Sequence, residues 1–182
     1  MAGLSFRNFT ELTEHERDLV LNWRNADRIR LRMTNRGILS REEHFRFIDS
    51  LASRTDRLYY LFSVGGEPAG VLDFIRIDPK ERSCEPGAYI GDERFLGYGF
   101  PLYHCALAHA FDDLGCVVVK GTVRKDNPAS SAILRRVFGA RDVGETAEEN
   151  LLELDRPYWV AHRDGLEKRM RERFGIREVR WS

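Results

Sequence analysis

Residues 94–100 read Arg-Phe-Leu-Gly-Tyr-Gly-Phe, between a strand-like run ending Gly87-Ala-Tyr-Ile90 and a helix-like run from Pro101 to Phe111. A helix N-terminus offers unpaired N–H donors and about half a positive charge. Glycines just before it let an anion approach the backbone, and Arg94 adds a cation at the mouth. The chemistry suits a pyrophosphate. The same residues would also make a plain tight turn. A dinucleotide fingerprint needs a third glycine where this chain has Leu102, and no Gly-Lys-Ser/Thr of a P-loop is present. That disfavours NAD and ATP.

The bulk of the chain narrows the class. Its 182 residues fit one domain, and 42% hydrophobic with 32% charged residues describes a folded chain. Lys+Arg and Asp+Glu number 29 each, which argues against a general nucleic-acid binder. Cys84, Cys105 and Cys116 have no CxxC spacing, so neither a disulfide framework nor a metal site is expected. Free thiols fit a reducing cytoplasm. The start, Met-Ala-Gly-Leu-Ser-Phe-Arg, lacks a signal-peptide core. No run approaches the ~18 apolar residues of a membrane span. The expectation is a cytoplasmic protein.

Elements must position the loop. Residues 4–9 alternate as a half-buried strand does. Thr13–Glu16 and Ser40–Glu43 are capping boxes that open two helices. Residues 57–64 and 69–77 read as strands joined at Gly65-Gly66. Residues 83–90 are a further strand whose Pro86 predicts a bulge or an unpaired segment. Cys116–Val123 reads as a buried strand, and Asn127-Pro128 starts a helix that Gly139 ends. Residues 150–154 form a strand, and 157 to about 174 a terminal helix. The order is one strand, two helices, three strands, helix, strand, helix, one or two strands and a helix.

This order, with Arg94-x-x-Gly97-x-Gly99, resembles the GNAT family of N-acetyltransferases. The resemblance implies a single α/β (α+β) domain over 1–182, with a mixed, mostly antiparallel sheet of about seven strands and helices on both faces. It implies acetyl-CoA as the cofactor, bound by Ile90, Arg94, Phe95, Leu96, Gly97, Tyr98, Gly99 and Phe100, with Asn127 and Ser130 at the next helix. Within the family, Asn8–Leu12, Trp23-Arg24-Asn25, Glu42-Glu43-His44, Gly70–Phe74 and Ser83-Cys84-Glu85 are similar to the sugar-nucleotide N-acetyltransferases of pseudaminic acid synthesis. That similarity implies a UDP-amino-sugar acceptor met by Trp23, Arg24, Asn25, Arg30, His44 and Asp73. Seven arginines between residues 24 and 46 (24, 28, 30, 32, 36, 41 and 46) suit a diphosphate, or form a solvated face with ion pairs.

Acetyl transfer to an amine needs a base, an oxyanion donor and a leaving thiolate. Glu85, Asp73, His44 and Ser83 holding a water are the base candidates. Ser83 and Glu85 share a strand face, and the resemblance favours Ser83 with Glu85 nearby. A backbone N–H near Tyr89 or Ile90 would hold the oxyanion, and Tyr89 or Tyr98 could donate a proton. Relatives place a proton-donating tyrosine where this chain has Leu134. Two other readings stay open: a GNAT transferase of a protein N-terminus, peptide or small amine, and a non-catalytic acyl-CoA sensor. A homodimer is compatible with all three.

Overall fold

Thr13 and Ser40 each accept a hydrogen bond from the N–H three residues on, and Glu16 and Glu43 return it. These capping boxes start helices α1 (Glu14–Asn25) and α3 (Arg41–Ser50), as their sequences dictate. The computed structural model describes residues 3–182, the side chain of Ala129 apart. Met1 and Ala2 of the N-terminal stretch lie outside the described residues. The other helices are α2 (Asp27–Arg30), α4 (Gly99–Ala108), α5 (Pro128–Ala132) and α6 (Arg156–Phe174). The strands are β1 (Leu4–Asn8), β2 (Leu58–Val64), β3 (Glu67–Asp78), β4 (Ser83–Ile90), β5 (Val118–Arg124), β6 (Arg141–Glu145), β7 (Glu149–Asp155) and β8 (Val179–Trp181).

One sheet carries all eight strands in the order β6-β7-β5-β4-β3-β2-β1-β8. The β1–β8 and β4–β5 pairs are parallel and the rest antiparallel. The expected mixed sheet is therefore present, with one strand more than about seven. The additions have weak sequence signals. β6 is a wholly exposed edge, Arg-Asp-Val-Gly-Glu, with no apolar alternation. β8 has three residues and is held by Trp181, which stacks on Phe6 and on His109 at 4.0 Å each. Helix α2 lies in the stretch between α1 and α3, which is rich in Arg, Asn and Gly.

Period-two alternation divides the sheet into two faces. Leu61 and Val71 face α1 and α3, where Phe9, Leu12, Val20, Ile48 and Leu51 complete a small core. Phe62 and Leu72 face the other way, into a larger core with Phe111, Trp159 and Met170. Helices α4 and α6 cover that face. Of the two outcomes expected at Pro86 the unpaired segment is present, since β4 beyond Cys84 has no partner on its β5 side; the bulge lies on β3, between Ile75 and Asp78, where Arg76 has φ 51°. Pro86 keeps its register opposite Phe74. A proline holds its place in a ladder when its nitrogen faces the strand's unpaired edge, and β4 has such an edge.

His104 of α4 is a polar group inside the larger core. It is 6% exposed, lies 5.5 Å from the Trp159 ring, and neither ring nitrogen has a hydrogen-bond partner among the described residues. Burial holds its pKa below the ordinary 6.5. The unfolded chain then binds its proton more readily, so His104 lowers stability as pH falls through 6.5. We expect His104→Phe to raise stability by about 1 kcal/mol or more in mild acid and to flatten the acid limb of a Tm-versus-pH curve. An unchanged acid limb would show that His104 does not drive it.

Candidate active site

The site grows from a fork in the sheet. β4 pairs with β5 only at Ser83–Val118 and Cys84–Val119. Beyond that, β5 pairs along its whole length with β7, and β4 pairs with β3 alone. Two strands that share an origin and then part leave a wedge. Beneath it lies a pocket lined by Pro86, Tyr103, Leu107, Val119, Leu134 and Phe138.

The glycine loop follows β4, one strand of the fork. Asp92 accepts the Arg94 N–H at 2.9 Å, Glu93–Tyr98 form a 3₁₀ turn, and α4 begins at Gly99. No side chain caps that N-terminus among the described residues. A Cβ placed on Gly97 or Gly99 would meet nothing within 4 Å. Open space in front of an uncapped helix start fits a phosphate group. Arg94 is less free than expected: it pairs with Glu67 and Asp92 at 2.8 Å each. Phe100 turns inward, stacked on Phe138 at 5.5 Å and Phe174 at 5.7 Å, so its side chain anchors the helix. Tyr98 packs on Phe95 and Phe174, the Ile90 side chain joins the larger core, and Leu96 is 61% exposed. Asn127 accepts the Ser130 N–H at 3.3 Å and so starts α5.

Asp73 occupies the α1–α3 face beside the fork. It lies opposite Gly87, where any Cβ would come within 2.7 Å of its carboxylate. Only glycine leaves room for that carboxyl group. Burial first, then the nearby Glu85 charge, raise the Asp73 pKa to about 7, against the pull of the Gly87 N–H. The hydroxyls of Tyr59 and Tyr89 are pushed up as well, mainly by burial and then by Asp73. Ser83 and Glu85 share this face but differ in setting. Ser83 is 3% exposed, at the level where β4 and β5 are still paired, with its hydroxyl 3.5 Å from Glu81. Glu85 pairs with Arg76. The two candidates thus stand apart: Ser83 lies buried where β4 and β5 are still paired, and Asp73 lies beside the fork.

The residues expected to meet the acceptor mostly make contacts within the protein. The Trp23 ring fills the space a Gly91 side chain would need, 2.2 Å from that Cβ. Asn25 holds both backbone groups of Leu39 at 2.9 Å, Arg24 donates to the Asn35 carbonyl, and Arg30 donates to the Arg36 carbonyl. His44 is 4% exposed, and its Nε2 lies 3.1 Å from the Arg17 carbonyl oxygen, which ties α3 to α1. Arg24, Asn25 and Arg30 thus shape the segment from 31 to 40. Arg28, Arg41 and Arg46 are engaged by Glu93, Glu14 with Asp18, and Glu42. Arg32 and Arg36 have no carboxylate at ion-pair distance among the described residues. Arg36 is near enough to lower the pKa of Asp126, beside the start of α5. The segment therefore reaches from α1 towards the start of α5.

Tyr103 had no signal in the sequence: it lies mid-helix in an apolar run, and only the fold places it in the lining of the pocket beneath the fork.

The sequence profile of the acetyltransferase (GNAT) domain matches residues 5–138. Acetyltransferase PseH of Campylobacter jejuni subsp. jejuni serotype O:23/36 (strain 81-176) is 35% identical over 124 residues, which span 68% of this chain and 76% of that protein. The solved structure of C. jejuni N-acetyltransferase PseH in complex with acetyl coenzyme A is 27% identical. It superposes with a TM-score of 0.69 over 84% of this chain and 99% of that one. A spermidine N-acetyltransferase from Vibrio cholerae, solved with CoA and spermine, gives a TM-score of 0.78 over 86% of this chain and 98% of its own, at 16% identity. That last likeness is one of fold alone. Fork, glycine loop and profile agree, and the chain belongs to the GNAT acetyltransferases as an acetyl-CoA-dependent N-acetyltransferase.

Proposed function

We propose that the chain acetylates the amino group of a UDP-linked amino-deoxy sugar, at the 4-amino position, in pseudaminic acid (nonulosonic acid) synthesis. Its similarity to the C. jejuni PseH proteins supports the acceptor class. The observation that carries the chemistry is Asp73, a carboxyl group with a pKa of about 7 beside the fork. A base near neutrality is well matched to an amine at cytoplasmic pH.

Acetyl-CoA, when bound, supplies the acetyl group as a thioester. The N-terminus of α4, with Gly97 and Gly99, would hold its pyrophosphate, and Asn127 and Ser130 would flank it. Asp73 takes the proton from the acceptor amine. A backbone N–H of Tyr89 or Ile90 stabilises the oxyanion as the amine adds to the carbonyl. Trp23, Arg24, Asn25, Arg30 and His44 fix the acceptor wall from behind. Arg32 and Arg36, unengaged by carboxylates like Arg24 but without its tie to the Asn35 carbonyl, are cations available to a diphosphate.

Thiol release from acetyl-CoA should be fast with a UDP-4-amino sugar and slow with spermidine or an N-terminal peptide. Preference for the peptide or the polyamine overturns the acceptor assignment. Arg32→Ala with Arg36→Ala should raise the acceptor KM about tenfold, with kcat little changed. An unchanged KM removes these arginines from diphosphate binding.

Gly99→Val should weaken CoA affinity at least about tenfold, since a branched side chain would occupy the open space before α4. Unchanged affinity would place the pyrophosphate elsewhere.

Asp73→Asn should slow transfer ~10²-fold or more and abolish a rise of rate with pH centred near 7. Its folded pKa is raised, so the ionised carboxylate lowers stability once pH exceeds the ordinary 3.8, and fully above about 7. The same variant should therefore be more stable at mildly alkaline pH, on the order of 2–4 kcal/mol, and no more stable below 3.8. A variant both inactive and destabilised would mean that Asp73 serves the fold.

A further inference from the structure

Helix α6 and strand β8 lie beyond residues 5–138, the span that the acetyltransferase profile matches. Against α4 and the π-helical turn His109–Asp113 they enclose a groove of about 400 Å³. It shares no lining residue with the pocket beneath the fork. Its depth is apolar: Trp159 and Met170 are buried, and Val179 continues the wall. Its mouth is acidic. The side chains of Asp112, Asp113, Asp164 and Glu167 are 36% to 94% exposed, and Arg163 is the guanidinium among them.

Internal partners do not cancel that charge. Asp112 has Arg163 at 3.4 Å, Glu167 pairs with Arg171, and Asp113 meets His109 at 2.8 Å. Burial keeps the His109 pKa below the ordinary 6.5, so this imidazole is mostly neutral at neutral pH. Two guanidinium groups against four carboxylates leave an excess of negative charge. In the wall stands His104, 6% exposed, with neither ring nitrogen paired among the described residues. A polar group so buried is nearly always satisfied, and a neutral imidazole has a lone pair to offer an N–H donor. We propose that this groove binds an alkylammonium ion, its ammonium group held by His104 and the carboxylates of Asp112 and Glu167, its apolar body against Met170 and Val179. A carboxylate ligand would meet like charge. An alcohol would satisfy His104 and leave the acidic mouth without a cation. The inference is independent of the acceptor assignment, since neither Asp73 nor the glycine loop lines the groove.

Hexylamine is the probe, with hexanol and hexanoate as its neutral and anionic counterparts. Each is titrated by calorimetry into the full chain saturated with CoA at neutral pH. Hexylamine should bind at least about tenfold more tightly than hexanol, and hexanoate should not bind. His104→Phe, which keeps a ring in the wall, should weaken hexylamine about tenfold or more without lowering Tm. Asp112→Asn with Glu167→Gln, both at the exposed mouth, should bring hexylamine down to the affinity of hexanol. Asp73→Asn should bind hexylamine as wild type does. No binding of hexylamine to the wild-type chain overturns the proposal, and so does equal affinity for all three probes. Binding that survives both groove variants but is lost in Asp73→Asn also overturns it, because the amine then occupies the acceptor side of the fork.

Discussion

The parting of β4 from β5 is the constraint on which the rest depends. A backbone edge left unpaired inside a sheet costs free energy unless something satisfies or avoids it. This chain avoids it in part with Pro86, which has no N–H to leave unpaired, and by giving β5 a full-length partner in β7. The wedge that results is bounded by the N-termini of two helices, α4 and α5, each following a strand of the fork. An extended thioester-bearing chain could thread such a wedge with its anionic end at α4 and its reactive end beside Asp73.

Polar groups around the wedge are held at a cost to stability. Asp73 stays in a setting that favours its neutral form, and Gly87 must remain without a side chain to admit it. Tyr59 and Tyr89 stand close by with their hydroxyls protonated. Such an arrangement destabilises a charge that a folded core would exclude, and the same destabilisation gives a carboxyl group the proton affinity to act on an amine at neutral pH. The surrounding cores compensate: Phe100, Phe138 and Phe174 stack behind the glycine loop, and Phe6, Trp181 and His109 stack behind β1.

Much of this was readable in the sequence, for local reasons. Capping boxes, the Gly65-Gly66 turn and Asn127-Pro128 act over three or four residues, so α1, α3, the β2–β3 hairpin and α5 follow from spacing. The glycine loop was legible for the same reason. Elements that depend on distant partners were not. β8 exists because Trp181 finds Phe6 and His109, and β6 because β7 has a free edge. Among candidate site residues, Asp73 was visible but ranked with others, because its raised pKa comes from burial and from Glu85 across the β3–β4 pair. Trp23, Arg24, Asn25 and His44 were singled out by type; their side chains contact Gly91, Asn35, Leu39 and Arg17, and the Arg24 Nη1 is left without a partner among the described residues. Tyr103 was hidden altogether, since helical periodicity says which face is apolar and nothing about what stands opposite.

The most direct test of this account is a crystal structure with CoA and an amino-sugar acceptor bound together. The account predicts the sulfur in the fork between β4 and β5, with the acceptor amine within hydrogen-bond reach of Asp73. A sulfur lying outside the fork, or an amine facing Ser83 with Asp73 turned away, would contradict it.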